Sequence, residues 1–436
     1  GVRILDTIGL FVNILLERTT RDARCSEMKL TLRRMQPPVA SPIDGASLLH
    51  GFLGLFCPRH YAHSLDNELR AHFNVQYLFS VSSGKAGLAL ILRAMKRLSP
   101  LRDEVIVPGY TCFSVPSAIV NSGLKPVACD VDPQGFDYSF DRLPAVISNR
   151  TLCIISCDLF GLASNISRLR EVCLDRSVFI IDDAAQAMGG IHHEQQLGTR
   201  GDAGLFSLGR GKCVSAGSGG IVLTNSDAIG AELTKEYRSL PPHGVLHSIR
   251  DLLVVLIQSL LIHPSLFWIP AGIPQLRIGE THFHKSISIK RLSGMSAGLM
   301  RHWKKRLDAS NAFRSSSARV YEKILPTELP TGRSVPYLRF PFLLPTKHDK
   351  DALMSNPLAR SLGISPMYPS SIEDIPELHN FMSHGSCPSS SSIAGRLITL
   401  PTHRYVSDED QHRICHLLLN RFDRSTLDTE PNRQLR

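Results

Sequence analysis

From residue 65 onward the chain alternates between two hydrophobic rhythms. Leu65, Leu69 and Phe73 recur at four-residue spacing among polar neighbours, which predicts a short helix. Val75–Val81 predicts a strand, Ser82-Ser83-Gly84 a turn, and Lys85–Leu98 a helix with apolar residues at 88, 91, 92 and 95. The alternation continues: strand Glu104–Val107, helix 112–121, strands Pro126–Asp130 and Leu152–Ser156, helix Ile166–Leu174 and strand Val178–Ile181. Gly204–Ser207 and Gly220–Thr224 are two further strands. Strands alternating with helices predict an α/β fold, with a mostly parallel sheet covered on both faces. In such sheets ligands bind at the carboxyl ends of the strands, and the polar motifs here follow strand ends.

The rhythm breaks elsewhere. Residues 37–64 are rich in Pro, Gly and His and read as irregular, and residues 1–36 are expected to lie outside the folded unit. The run Leu252–Ile262 is apolar except for Gln258 and Ser259, and is too short to span a bilayer. Two readings of 251–274 stand side by side: a buried or dimer-contact helix, and an in-plane hairpin giving peripheral membrane contact. Ser293–Ile324 predicts one long connecting helix. Residues 325–421 predict a smaller C-terminal α+β domain, with a strand at 337–344, a helix at 349–362, a strand at Arg396–Pro401 and a helix at Asp408–Leu419. Ser386–Ser392 reads as a flexible loop and 422–436 as a polar tail. The domain layout is therefore an extension at 1–64, a large domain at 65–292 with an insertion at 236–280, a connecting helix at 293–324, a small domain at 325–421 and a tail.

Composition narrows the class. With 436 residues, 43% of them apolar, and 20% charged, the chain is globular rather than disordered or collagen-like. A net charge of +10 favours anionic partners such as phosphates and nucleotides. No run of five basic residues exists, so nucleic acid is not an expected partner. Ten scattered cysteines form no CxxC or zinc spacing, so no metal is expected, and they read as reduced thiols of a cytoplasmic protein.

Three motifs carry candidate chemistry. Ser82-Ser83-Gly84-Lys85-Ala86-Gly87, between a strand and a helix, can hold an anion on free helix N-terminal amides, or be an ordinary turn. Phe179-Ile180-Ile181-Asp182-Asp183 ends a buried strand in two carboxylates, which are costly unless they meet cations or donors. One of them, aimed at a pyridinium nitrogen, would keep it protonated; otherwise it caps the next turn. Gly209-Arg210-Gly211-Lys212, in a glycine-rich loop, places a lysine where it can approach a cofactor aldehyde; otherwise it is a solvated loop lysine. A nucleotide P-loop is excluded, because Phe206 and Cys213 stand where that motif needs Gly and Ser or Thr.

With Asp103-Glu104-Val105-Ile106-Val107-Pro108, Leu159-Phe160-Gly161 and Leu400-Pro401-Thr402-His403, these motifs make an ordered set. In that set the chain resembles the DegT/DnrJ/StrS family of pyridoxal-phosphate-dependent nucleotide-sugar aminotransferases, from about Leu65 to Leu419. The resemblance implies the three-layer fold type I of aspartate aminotransferase, a homodimer, and pyridoxal 5'-phosphate as cofactor. It implies that Lys212 forms the Schiff base and shuttles a proton, and that Asp183 faces the pyridine nitrogen. It implies that Gln186 contacts the phenolic oxygen, while Ser207 and the amides of Lys85 and Ala86 cup the phosphate.

Relatives that dehydrate sugars carry His where this chain has Lys212. Other positions depart from the pattern. Lys85 replaces a Thr or Ser. Cys112 stands where the ring that stacks on the cofactor usually falls, so Phe113 or Tyr110 is expected to supply that ring. Phe283-His284-Lys285-Ser286 replaces an Asn-containing loop. The expected activity is transamination of a nucleotide-linked ketosugar, with glutamate as donor, for surface polysaccharide, O-antigen or glycolipid assembly. The basic stretch 290–306 is expected to meet the nucleotide diphosphate. Alternatives are an elimination or dehydration enzyme on the same cofactor, and a non-catalytic regulatory protein on the same scaffold.

Overall fold

The computed structural model describes residues 34–427, apart from 175–176, 328, 330–334 and 383–385. Seven strands form the central sheet: β1 (Tyr77–Val81), β2 (Glu104–Pro108), β3 (Lys125–Cys129), β4 (Thr151–Cys157), β5 (Phe179–Asp183), β8 (Ala203–Ser207) and β9 (Gly220–Thr224). Their order is β1-β9-β8-β5-β4-β2-β3, and β6 (Ile191–His192) and β7 (Gln195–Gln196) make a separate hairpin. Only β9 runs against its neighbours; every other adjacent pair is parallel. The carboxyl ends of β1, β2, β4, β5 and β8 therefore share one edge of the sheet. Strand β4 is buried at every position, as expected for a strand covered on both faces.

Helices α1 (Gly45–Leu53) and α2 (Pro58–Phe73) precede the sheet, so the expectation of irregular chain at 37–64 is corrected. Asp44 caps α1 by accepting from Ser47 N at 2.7 Å. Helix α3 (Gly84–Leu98) follows β1 and is capped by Ser83. Helices α4 (Ser114–Asn121) and α5 (Ile166–Cys173) cover the sheet, with α6 (Asp227–Ser239) packing on α3.

The apolar segment forms α7 (Val245–Leu261) and α8 (Pro264–Ala271), bent by 119°. No single helix among the described residues is long and apolar enough to cross a membrane. Leu252 and Val255 of α7 are buried, whereas Leu246, Leu253, Ile257 and Leu260 face outward.

The expected single helix at 293–324 is two. Helix α9 (Gly294–Leu299) is broken from α10 (Trp303–Ile324) at His302, whose φ of 58° is left-handed. Beyond α10, β10 (Phe340–Leu343), β11 (Ser365–Pro366) and β12 (Leu397–Leu400) form a second, antiparallel sheet in the order β10-β12-β11. Its core residues Phe340, Ile398 and Leu400 are continuous with those of the main sheet. The expected helix at 349–362 splits before Pro357 into α11 (Lys347–Met354) and α12 (Pro357–Ser361).

Residues 388–396 are not a loop but helix α13 (Pro388–Arg396). Its start is held by a distant carboxylate, Asp130, which accepts from Ser389 N at 3.1 Å and from Ser390 N at 2.9 Å. Helix α14 (Asp408–Leu427) runs past the expected start of the tail, since no Gly or Pro interrupts it; residues 428–436 lie outside the described residues.

Residues 1–33 are also outside the described residues, but Met35 and Gln36 belong to the fold. Gln36 Nε2 donates to Asp410 Oδ2 at 2.7 Å, and Gln36 N donates to Ser361 O at 2.8 Å.

Candidate active site

The shared strand edge opens into a cavity. The strand ends and the segments that follow them deliver its polar groups. After β1, α3 begins: the amides of Gly84 and Lys85 sit in its first turn, where no intrahelical acceptor exists. Ala86 N instead donates to Ser83 Oγ at 3.2 Å. Ala86, whose amide was expected to share in an anion cup with that of Lys85, thus also takes part in the cap of α3.

Ser207, at the end of β8, lies directly over Gly84. A Cβ on Gly84 would stand 2.9 Å from Ser207 Cβ and 3.1 Å from its Oγ, so only glycine allows this approach. The Lys85 side chain also lines the cavity, and burial lowers its pKa. Near Lys85 stands His284, whose pKa is lowered by burial and then by the Lys85 charge. Segment 281–284 is fixed there by His284 N, which donates to Ser117 Oγ at 2.9 Å.

Strand parity separates the two adjacent carboxylates of β5. Asp182 is fully buried and bound to Arg200, whose Nη2 donates to Asp182 Oδ1 at 2.9 Å and to Asp158 Oδ1 at 2.7 Å. Asp182 Oδ2 also accepts from Gly198 N at 2.8 Å. Asp182 is thus part of a buried ion cluster. Asp183 lines the cavity. Burial pushes its carboxyl up to about 6, against the opposing pull of Ala185 N–H, which donates to Oδ1 at 3.0 Å, and of the Lys212 charge. Lys212 lines the same cavity, in the loop between β8 and β9.

Gln186 also reaches the cavity and is held on both ends. Its Nε2 donates to Tyr368 Oη at 2.8 Å, and its Oε1 accepts from Phe160 N at 3.3 Å. Phe113 is not among the lining residues. Its ring lies against Tyr368, with centroids 6.5 Å apart and planes at 25°. Tyr110 is buried behind it, accepting from Tyr368 N at 3.2 Å. Cys112 lines the cavity where one of these rings was expected, and both rings pack against Tyr368. None of the basic residues at 290–306 lines the cavity. Arg301 instead pairs with Glu68 at 3.2 Å, Lys304 with Asp308 at 3.0 Å, and the Arg306 guanidinium donates to Leu299 O at 2.7 Å.

Sequence reasoning also missed Arg200, Tyr368, Ser41 and Arg314. The partners that tie them to the site lie 18 to 273 residues away, so no local pattern points to them.

The donor set fits pyridoxal phosphate. The α3 amides, Ser207 and Lys85 suit a phosphate, Asp183 suits a protonated ring nitrogen, and Lys212 supplies an amine for an aldehyde. Fold and site together define an α/β protein with a cavity at its strand ends whose lining suits pyridoxal phosphate. The chain belongs to the DegT/DnrJ/EryC1/StrS aminotransferase family, whose model matches residues 56–419, and pyridoxal phosphate is the cofactor of that family.

Among curated relatives, GDP-perosamine synthase of Vibrio cholerae is 30% identical over 169 residues, 39% of this chain and 46% of that protein. The chain spans about half the length of the curated relatives it matches. Sugar aminotransferase CalS13 from Micromonospora echinospora shares the fold with a TM-score of 0.70 and 20% identity, over 88% of this chain and 100% of that one. GDP-4-keto-6-deoxy-D-mannose-3-dehydratase of Escherichia coli, solved with hydrated pyridoxal phosphate, has a TM-score of 0.69 and 16% identity, over 88% and 99%.

Proposed function

We propose that this chain aminates the keto group of a nucleotide-linked sugar, with glutamate as the amino donor, in the assembly of a surface polysaccharide or glycolipid. The observation that carries the reading is the convergence of Lys212 and Asp183 on one cavity, beside an anion-binding helix start. A relative named as a GDP-perosamine synthase supports a nucleotide-linked sugar as acceptor.

Bound pyridoxal phosphate supplies an electron sink for the carbon that gains or loses the amino group. Asp183 holds the proton on the ring nitrogen that makes the sink effective. Lys212 Nζ carries a proton to and from the amino-bearing carbon. The first turn of α3, Ser207 and Lys85 would hold the phosphate, and Gln186, pinned by Tyr368, would meet the cofactor's ring oxygen. The reading includes a cytoplasmic homodimer whose second copy completes the cavity.

The test is the visible absorption of the purified protein before and after glutamate, with Lys212→Ala alongside. A band that glutamate bleaches and the variant lacks supports amino transfer. A band unmoved by glutamate points to another donor or to elimination chemistry. Absence of any band after addition of pyridoxal phosphate sinks the reading.

A further inference from the structure

Around Lys212 itself the loop makes few hydrogen bonds of its own. It runs through Gly209, Gly211, Gly217 and Gly219, and Gly211 and Gly217 take positive φ values of 70° and 76°. Its internal hydrogen bonds include a long one, Lys212 N to Gly209 O at 3.3 Å, and Ala216 N to Leu208 O at 2.9 Å. Two outside groups meet at its Lys212 carbonyl. Ser41 Oγ donates to Lys212 O, and Arg314 Nη2 donates to the same oxygen at 3.3 Å. Arg314 Nη1 takes the next carbonyl, Cys213 O, at 3.1 Å, and Arg314 Nη2 donates to Ser41 Oγ at 3.3 Å.

Arg314 is 0% exposed, and none of its hydrogen bonds goes to a carboxylate. A guanidinium buried without a counter-charge is costly, and a Met or Leu would fill the same space on α10 without that cost. What only the planar fork does is grip two successive carbonyls. Ser41 is a fixed reference for the grip. Its segment is tied to the C-terminal part of the fold by Gln36, anchored at Asp44 by the α1 cap, and pressed by Val39 onto Gly211.

We propose that Arg314 and Ser41 are positioning residues for Lys212, which together fix its main-chain carbonyl and so set where its amine stands in the cavity. This rests on the reading that Lys212 bonds to pyridoxal phosphate.

Two ligands separate positioning from general stability. Pyridoxal phosphate bonds to the Lys212 amine, whereas pyridoxamine phosphate has no aldehyde and binds only through the rest of the site. Dissociation constants for both are measured by titration of cofactor-free wild type, Arg314→Met, Ser41→Ala and Ser41→Thr. Losing one or two hydrogen bonds to the loop should weaken pyridoxal phosphate about tenfold in the first two variants, and leave pyridoxamine phosphate within about twofold. Ser41→Thr, which keeps the hydroxyl, should match wild type. Equal weakening of both ligands, or of neither, overturns the proposal. Ser41→Ala removes only one hydroxyl and decides the matter if Arg314→Met does not fold. A wild-type protein that binds pyridoxal phosphate no better than Lys212→Ala overturns the cofactor role of Lys212, and the positioning role with it.

Discussion

Asp183→Asn should stabilise the cofactor-free protein while damaging its site, and the gain should depend on pH. Burial moves the Asp183 carboxyl from 3.8 to about 6, and its side chain sits in a residue only 8% exposed. Each tenfold change in proton affinity corresponds to about 1.4 kcal/mol, so holding this group ionised in the folded state costs about 3 kcal/mol. The sign follows from which state binds more protons. As pH rises from 4, the unfolded chain releases its proton first, and the folded state keeps it until pH passes about 6. Stability from this group is therefore full below pH 3.8 and is lost as pH rises through about 6.

Asn is neutral and keeps an oxygen for the Ala185 N–H. The variant should therefore exceed wild type by about 1.6 kcal/mol at pH 5 and by about 3 kcal/mol at pH 8, with little difference near pH 3.8. The assay is urea or thermal denaturation of both proteins, freed of cofactor, across that range. A pH-independent difference, or a variant less stable than wild type at pH 8, would refute the argument. A carboxyl kept at the expense of stability is what a site residue does when it awaits a cation, which under the proposed function would be a protonated ring nitrogen.

Two further outcomes follow from the same geometry. Lys85→Ala should weaken binding of inorganic phosphate, measured by competition with pyridoxal phosphate, by about tenfold, the scale of one charge-assisted hydrogen bond. Lys85→Thr should recover part of that loss through its hydroxyl; unchanged phosphate competition in both variants would show that the ammonium does not reach the anion. Arg200→Met leaves Asp158 and Asp182 buried together and should cost about 3–5 kcal/mol of stability by denaturation. Adding Asp158→Asn and Asp182→Asn should return most of it, and a loss of under about 1 kcal/mol in the single variant would contradict the cluster's role.

What could be read from the sequence follows from how local each signal is. The strands of the central sheet were legible because their apolar runs are contiguous, and their observed ends fall within two residues of the expected ones. Helix α1 was not, because its contact with α9 is made by glycines. A Cβ on Gly51 would meet Leu299, one on Gly54 would meet Gly294, and one on Gly298 would meet His50. Residues that read as loop formers are there for close approach between helices, and they leave no apolar periodicity to detect. Helix α13 was hidden for a different reason. Its serine-rich sequence has a weak propensity, and the carboxylate that secures its start is Asp130, about 260 residues earlier in the chain.

The site divides along the same line. Motif order was enough to single out Asp183, Lys212, Ser207, Lys85 and Gln186, and the fold brings all five to one cavity. The fate of neighbouring residues was decided by geometry that no motif states. Asp182 and Asp183 are chemically identical and adjacent, yet the two-residue period of β5 sends one into an ion cluster with Arg200 and the other into the cavity. Cys112 and Phe113 differ in the same way at the start of α4: the thiol enters, and the ring turns away to pack Tyr368. Tyr368 in turn holds Gln186. The ring expected to cover the cofactor was therefore not lost from the sequence. Its packing surface serves one step further out, fixing the tyrosine that orients the glutamine, while a smaller side chain leaves room over the cavity.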